Sequence, residues 1–167
     1  MSTTFDGTSG DDTFTATGGG VTTINGNGGN DRLTGGWGEN HISGGTGNDI
    51  LQAGAGVNFM LGGVSPADPM SSGKDTFIIS LNALNAGAQV TIYDFGGAGG
   101  FSSVDNDFVA FTGFSAGSSI ASVQDSGVDP NLAYYTIHDA LSGNDFMIAI
   151  RSTNGAHLGA GDFNFYS

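Results

Sequence analysis

Residues 44–52 read Gly-Gly-Thr-Gly-Asn-Asp-Ile-Leu-Gln, and this stretch decides the fold. The neighbouring blocks repeat its pattern every nine residues: Thr17–Asn25, Gly26–Thr34, Gly35–Ser43 and Ala53–Leu61. An earlier block starts at Gly7 and is offset by the single residue Ala16. A last block opens with Gly62-Gly63-Val64, is interrupted by residues 65–72, and resumes as Gly73-Lys74-Asp75-Thr76-Phe77-Ile78. Two columns define the period. The eighth position is always apolar: Phe14, Ile24, Leu33, Ile42, Leu51, Met60 and Phe77. The fourth is always glycine: Gly10, Gly20, Gly29, Gly38, Gly47, Gly56 and Gly73. Such a period marks a solenoid, whose units bury their apolar residue only by stacking on their neighbours.

Composition agrees and removes rivals. The chain has 167 residues, 31 of them glycine, and a formal charge of −13. Glycine is concentrated at the start, with 18 of the 31 before residue 64. Arg32, Lys74 and Arg151 are the only fixed cations, so nothing could neutralise a row of phosphates and nucleic acid is excluded as a partner. The chain has no cysteine, which removes disulfides, zinc–thiolate sites and a thiol nucleophile. No apolar run approaches the roughly 20 residues of a transmembrane helix. Twelve phenylalanines and 38% hydrophobic residues argue against disorder.

The block Gly44–Gln52 matches in full the nonapeptide G-G-x-G-x-D-x-U-x. Gly26–Thr34 departs from it only at Asn27, and Gly35–Ser43 carries Asn40 in place of the aspartate. In these residues the chain resembles the RTX, or hemolysin-type calcium-binding, repeat proteins, over about residues 6–78. The resemblance extends, less specifically, to Lys74–Ile79, Val90–Phe95 and Asp105–Phe111, and to the acidic-aromatic end Asp162–Ser167. It implies an all-β fold: a parallel β-roll over residues 1–78 and a β-rich C-terminal cap over 79–167. In the family, six residues make a turn and three make a short strand.

One nonapeptide then makes half a roll turn, and successive blocks alternate between two edges. Position six on one edge reads Asp12, Asp31, Asp49 and, across the interruption, Asp75. On the other it reads Thr22, Asn40 and Asn58. Solvated turn residues would explain one aspartate, since Asp is common in turns, but not four at one repeat position on one edge. Ca²⁺ takes six to eight oxygens from carboxylates and carbonyls, and glycine turns let carbonyls approach closely.

Carried over from the family, each ion takes carbonyls two and four and the Asp of one turn, with carbonyls one and three and the Asp of the next. Three sites follow. The first uses Thr8, Gly10, Asp12, Gly26, Gly28 and Asp31. The second uses Asn27, Gly29, Asp31, Gly44, Thr46 and Asp49. The third uses Gly45, Gly47, Asp49, Gly62, Val64 and Asp75. Asn40 and Asn58 read either as weak ligands or as a neutral hydrogen-bonded ladder. Three Ca²⁺ would take the formal charge from −13 to −7 and relieve repulsion along the edge, so the roll is expected to fold only with calcium.

Beyond the array, strands are expected at Asp75–Leu81, Gln89–Phe95, Asp107–Thr112, Ala133–Asp139 and Phe146–Ser152, with a hairpin turn at Leu141–Asp145. Ser115–Gln124 is expected as one short helix. His41, His138 and His157 are the only histidines, and no G-x-S-x-G pattern accompanies them. The chain therefore reads as a non-enzyme; the rival would need a pocket uniting His138 or His157 with carboxylates. Trp37, with Tyr93, Tyr134 and Tyr135, could stack on a sugar or simply pack on the cap or the neighbouring turn. That makes an extracellular polysaccharide a candidate partner, as for modules appended to alginate-modifying enzymes. An adhesion or ice-binding module is a further alternative. The residues after Met1 run straight into the first repeat without a signal-peptide pattern. Calcium sites of this type fill at extracellular concentrations. The resemblance reconciles the two through type I export, in which a C-terminal signal engages the export machinery and the chain folds outside the cell.

Overall fold

The computed structural model describes residues 2–63, 73–99 and 106–167. Val64 and the interruption at 65–72 lie outside the described residues, as does Asp105. The fold is two mainly parallel sheets wound by one chain. The first takes β1 (Thr3–Asp6), β3 (Thr22–Gly28), β5 (Glu39–Thr46), β7 (Val57–Leu61) and β9 (Gln89–Phe95), then β13 (Asp145–Ser152), β12 (Leu132–His138) and β11 (Ser119–Asp125). The second takes β2 (Thr13–Thr15), β4 (Arg32–Thr34), β6 (Ile50–Gln52), β8 (Thr76–Ser80), β10 (Phe108–Thr112) and β14 (Phe163–Tyr166). Alternate nonapeptides feed alternate sheets. This is the parallel β-roll that the repeat implies.

The period becomes a core because position eight points inward from both sheets. Phe5, Ile24, Ile42, Met60 and Ile92 stand in register along the first sheet. Phe14, Leu33, Leu51, Phe77 and Val109 do so along the second. From Ile24 to Val109 these side chains are fully buried. Phe5 and Phe14 stack at 4.3 Å at the end of the roll and are only half-buried, because no further layer covers them among the described residues.

The strands are asymmetric in length. Those of the second sheet have the expected three residues over β2, β4 and β6, whereas β3 has seven and β5 has eight. The longer ones run on into the turn, pairing Asn27 with Gly45 and Gly28 with Thr46. Both sheets also continue through residue 78. β8 crosses it, β10 and β14 extend the second sheet in parallel, and β9 extends the first. The antiparallel unit β11–β12–β13 then closes the first sheet.

The expected helix over Ser115–Gln124 is not formed. Ser119–Asp125 is strand β11, zipped onto β12 from Ser119 opposite His138 to Asp125 opposite Ala133. Ladder hydrogen bonds with β12, a partner distant in sequence, decide the element. The helix that does form, α1 (Leu81–Asn85), is a single turn whose start is held by Ser80 Oγ accepting from Ala83 N at 3.1 Å. The tail, read from sequence as an export feature, is also structural: Phe165 stacks on Phe111 at 4.8 Å.

Candidate metal centre

Position six of the second sheet's blocks lies at the turn just before each short strand, so parallel stacking superposes the aspartates. Main-chain hydrogen bonds link the column. Asp12 N donates to Asp31 Oδ1 at 2.8 Å, Asp31 N to Asp49 Oδ1 at 2.8 Å and Asp49 N to Asp75 Oδ1 at 2.7 Å. Each carboxylate is thus fixed by one oxygen. The other oxygen of Asp31 and of Asp49 is buried and accepts no hydrogen bond. A buried carboxylate oxygen without a donor is costly, so these atoms mark where a positive partner is missing from the protein's own groups.

Glycine at position one shapes the space beside those atoms. A Cβ on Gly44 would strike Asp49 Oδ2 and come within 2.6 Å of Gly62 O. A Cβ on Gly26 would strike both Asp31 Oδ2 and Gly44 O. The free carboxylate oxygen of one turn and a carbonyl of the next therefore converge on the same small space, which only glycine leaves open. Gly29 and Gly47 serve differently. Their φ values of 101° and 128° are accessible to glycine without strain. Among the described residues no three His, Asp or Glu side chains cluster around one point, so main-chain oxygens must supply much of any coordination shell.

Several carbonyls in the expected sets already accept one hydrogen bond. Thr46 O accepts from Gly29 N at 3.0 Å, Gly62 O from Gly45 N at 2.8 Å and Thr8 O from Gly28 N at 3.3 Å. A carbonyl has two lone pairs and keeps one for a cation. The first layer differs from the others. Asp12 is half-exposed, and its Oδ2 accepts from Thr8 N at 2.6 Å and Thr8 Oγ1 at 3.0 Å; Gly10 N in turn donates to Thr8 Oγ1 at 3.1 Å. Thr8, Gly10 and Asp12 thus satisfy one another. Asn27 holds a positive φ of 75° and donates from Nδ2 to Gly7 O at 2.9 Å.

Burial governs the electrostatics. It pushes the Asp49 carboxyl up from 3.8 to about 6, against the lowering effect of the Asp31 N–H, and the Asp31 charge raises it further. Burial also raises Asp31 above its ordinary value.

The second edge is built differently. Asn40 Oδ1 accepts from Gly36 N and Asn58 Oδ1 from Gly54 N, each at 2.8 Å. Asn40 Nδ2 donates to Asn58 Oδ1 at 3.1 Å. The two amides form a buried ladder.

Sequence reasoning missed how far the carboxylate column runs. Asp107 is its next member, with Asp75 N donating to Asp107 Oδ1 at 2.9 Å. The signal was present: Asp107-Phe108-Val109 repeats the Asp-x-apolar spacing of Asp49-Ile50-Leu51. Here the second oxygen has a donor, Gly96 N at 2.9 Å. Asp94 is buried on the other sheet and accepts from Gly62 N and Gly63 N at 2.9 and 2.8 Å. Asp162 accepts from Gly99 N and Gly159 N, both at 2.7 Å. These carboxylates are served by main-chain N–H groups.

Trp37 is 79% exposed. Tyr134 is exposed, whereas Tyr135 is buried with its hydroxyl accepting from Leu158 N at 3.1 Å, which removes it from any surface platform. Each histidine pairs with an exposed carboxylate: His41 with Glu39 at 2.6 Å, His138 with Asp145 and His157 with Asp125 at 2.7 Å. His138 does not use its sequence neighbour Asp139, which instead accepts from Ser115, Ser118 and Ser142; those of Ser142 and Ser115 hold its carboxyl well below the usual range. No helix among the described residues is long and apolar enough to cross a membrane.

The model of the RTX calcium-binding nonapeptide repeat, in four copies, matches residues 17–51 and 34–64. None of the curated proteins matches the chain. Among solved structures, the chain is similar to the AlgE6R3 subunit from the Azotobacter vinelandii mannuronan C5-epimerase. The identity is 26%, the TM-score 0.43, and the match covers 94% of this chain and 80% of that one.

Proposed function

We propose, from the premise that residues 17–64 are RTX calcium-binding nonapeptide repeats, that the Asp edge of this roll takes up calcium and that uptake drives folding. One observation carries the reading: Oδ2 of Asp31 and of Asp49 is buried without a hydrogen-bond donor, beside carbonyls of the next turn. The residues fit a hard cation. Ca²⁺ would supply the missing positive charge and accept the carboxylate and carbonyl oxygens together.

The middle site, built from Asn27, Gly29, Asp31, Gly44, Thr46 and Asp49, has the best support. The third would use Gly45, Gly47, Asp49, Gly62, Val64 and Asp75. The first, at Thr8, Gly10, Asp12, Gly26, Gly28 and Asp31, is the weakest, because Thr8 already serves Asp12. A calorimetric calcium titration should give two to three ions per chain. Circular dichroism should show the β structure of the roll reduced in chelator and restored by calcium; an unchanged folded spectrum in chelator would refute calcium-driven folding.

The protein works outside the cell in this reading, exported through a type I machinery by its C-terminal region. Removal of about the last 50 residues should abolish secretion, and unchanged secretion would count against it. A polysaccharide-binding role is the second reading, favoured by the exposure of Trp37. A glycan array comparing the parent with Trp37→Ala tests it. An ice-binding role is disfavoured by the outward column Thr4-Thr23-His41-Phe59-Thr91, which is no regular threonine array.

A further inference from the structure

The two edges of the roll face the same problem. Each turn directs carbonyl oxygens inward, and each needs a positive partner there. The Asp edge leaves two carboxylate oxygens without one. Among the described residues the Asn edge leaves no such atom. Asn40 Nδ2 donates to Gly36 O at 3.2 Å, Gly38 O at 3.0 Å and Asn58 Oδ1 at 3.1 Å. Asn58 Nδ2 donates to Gly54 O at 3.0 Å, Gly56 O at 2.8 Å and Gln89 O at 3.3 Å. Gly36, Gly38, Gly54 and Gly56 stand at positions two and four of their blocks. These are the positions whose carbonyls were assigned to the cation on the opposite edge. Both asparagines are completely buried, Gly36 and Gly54 are buried with them, and Gly38 and Gly56 are half-exposed.

We propose that the side-chain amides of Asn40 and Asn58 fill the cation position on this edge, so that it is closed by N–H donors where the Asp edge is closed by calcium. The inference rests on the calcium reading above. Its chemistry is a matter of one atom. Asn and Asp have the same shape, but the amide NH₂ presents hydrogens to the carbonyls. A carboxylate oxygen in its place would face several acceptors with no donor, and a divalent cation would resolve that conflict. The amide is therefore the selectivity determinant: it stabilises the edge without calcium and excludes the ion.

The test uses the full chain and calcium alone as the probe. Calorimetry should find one more calcium per chain in Asn40→Asp/Asn58→Asp than in the parent. In chelator the double variant should be less folded than the parent. Asn40→Ala/Asn58→Ala, which removes the amides without adding charge, should gain no calcium. A double Asp variant that folds in calcium with the parent's ion count overturns the proposal. A second measurement needs no variant. In the calcium-saturated parent, the NMR signals of the two NH₂ groups should resist exchange and stay in place as calcium is raised well beyond saturation. Signals that shift with the added calcium overturn the proposal even if the double variant never folds. A parent that takes no calcium at all refutes the calcium reading of the Asp edge itself, a result distinct from either of these.

Discussion

Asp49→Asn separates the two roles of the central carboxylate. Asp49 is 1% exposed, accepts from Asp31 N at 2.8 Å through Oδ1, and leaves Oδ2 without a donor. An asparagine keeps the shape and the Oδ1 acceptor, but removes the charge and turns Oδ2 into a donor beside Gly62 O. In chelator at neutral pH the variant should be more stable. A rise from 3.8 to about 6 corresponds to at most about 3 kcal/mol at ~1.4 kcal/mol per unit, less whatever solvent screens through the turn. In calcium the order should reverse, because Asp49 belongs to two proposed sites. Each site contributes about 2.7 kcal/mol at a hundredfold excess of calcium over its dissociation constant, so losing both costs roughly 5 kcal/mol. Urea unfolding in chelator and in calcium reads both limbs, and calorimetry reads the lost ions. A variant less stable than the parent in chelator, or one with an unchanged calcium count, would refute the reasoning.

Acid should partly replace calcium. Asp49 and Asp31 bind protons more readily in the fold than in the unfolded chain, so the calcium-free fold gains stability as pH falls from about 6 towards 4 and loses it as pH rises through that range. Calcium affinity should move the other way, weakening below about pH 6 as Asp49 protonates. Circular dichroism in chelator at mildly acid and neutral pH checks the first statement; a calcium-free fold more stable at neutral pH would contradict it. Gly44→Ala should abolish the calcium response of the middle site and destabilise the roll by about 1–3 kcal/mol, because its Cβ meets Asp49 Oδ2 and Gly62 O. Gly161→Ala, whose Cβ meets nothing within 4 Å, is the control and should leave the calcium titration unchanged.

The array was legible because a solenoid writes its geometry into its period. Position eight had to be apolar to fill a shared core, and position six had to superpose once the strands paired in parallel. The stacking of Ile24, Ile42 and Met60, and of Asp31 on Asp49, follows from register alone. Beyond the array no period constrains the chain. Ser115–Gln124, expected as a helix, holds most of strand β11 instead, because β12 offers an edge that a local pattern cannot reveal. Asp107 was missed for a related reason: its column partner Asp75 is 32 residues away, and only parallel pairing of β10 with β8 brings them together.

The sequence by itself determined the two-sheet roll, the segregation of Asp and Asn to opposite edges, and the candidacy of calcium, since each depends only on a nine-residue repeat. Tertiary structure decided which carboxylates still lack a partner. Asp107 and Asp162 have main-chain donors supplied by glycines from elsewhere in the chain, Asp12 has Thr8 from its own turn, and Asp31 and Asp49 each keep one buried oxygen without a donor. The physical reason is that a cation's place is defined by what the remaining donors fail to satisfy, and that balance is struck only after the turns have stacked.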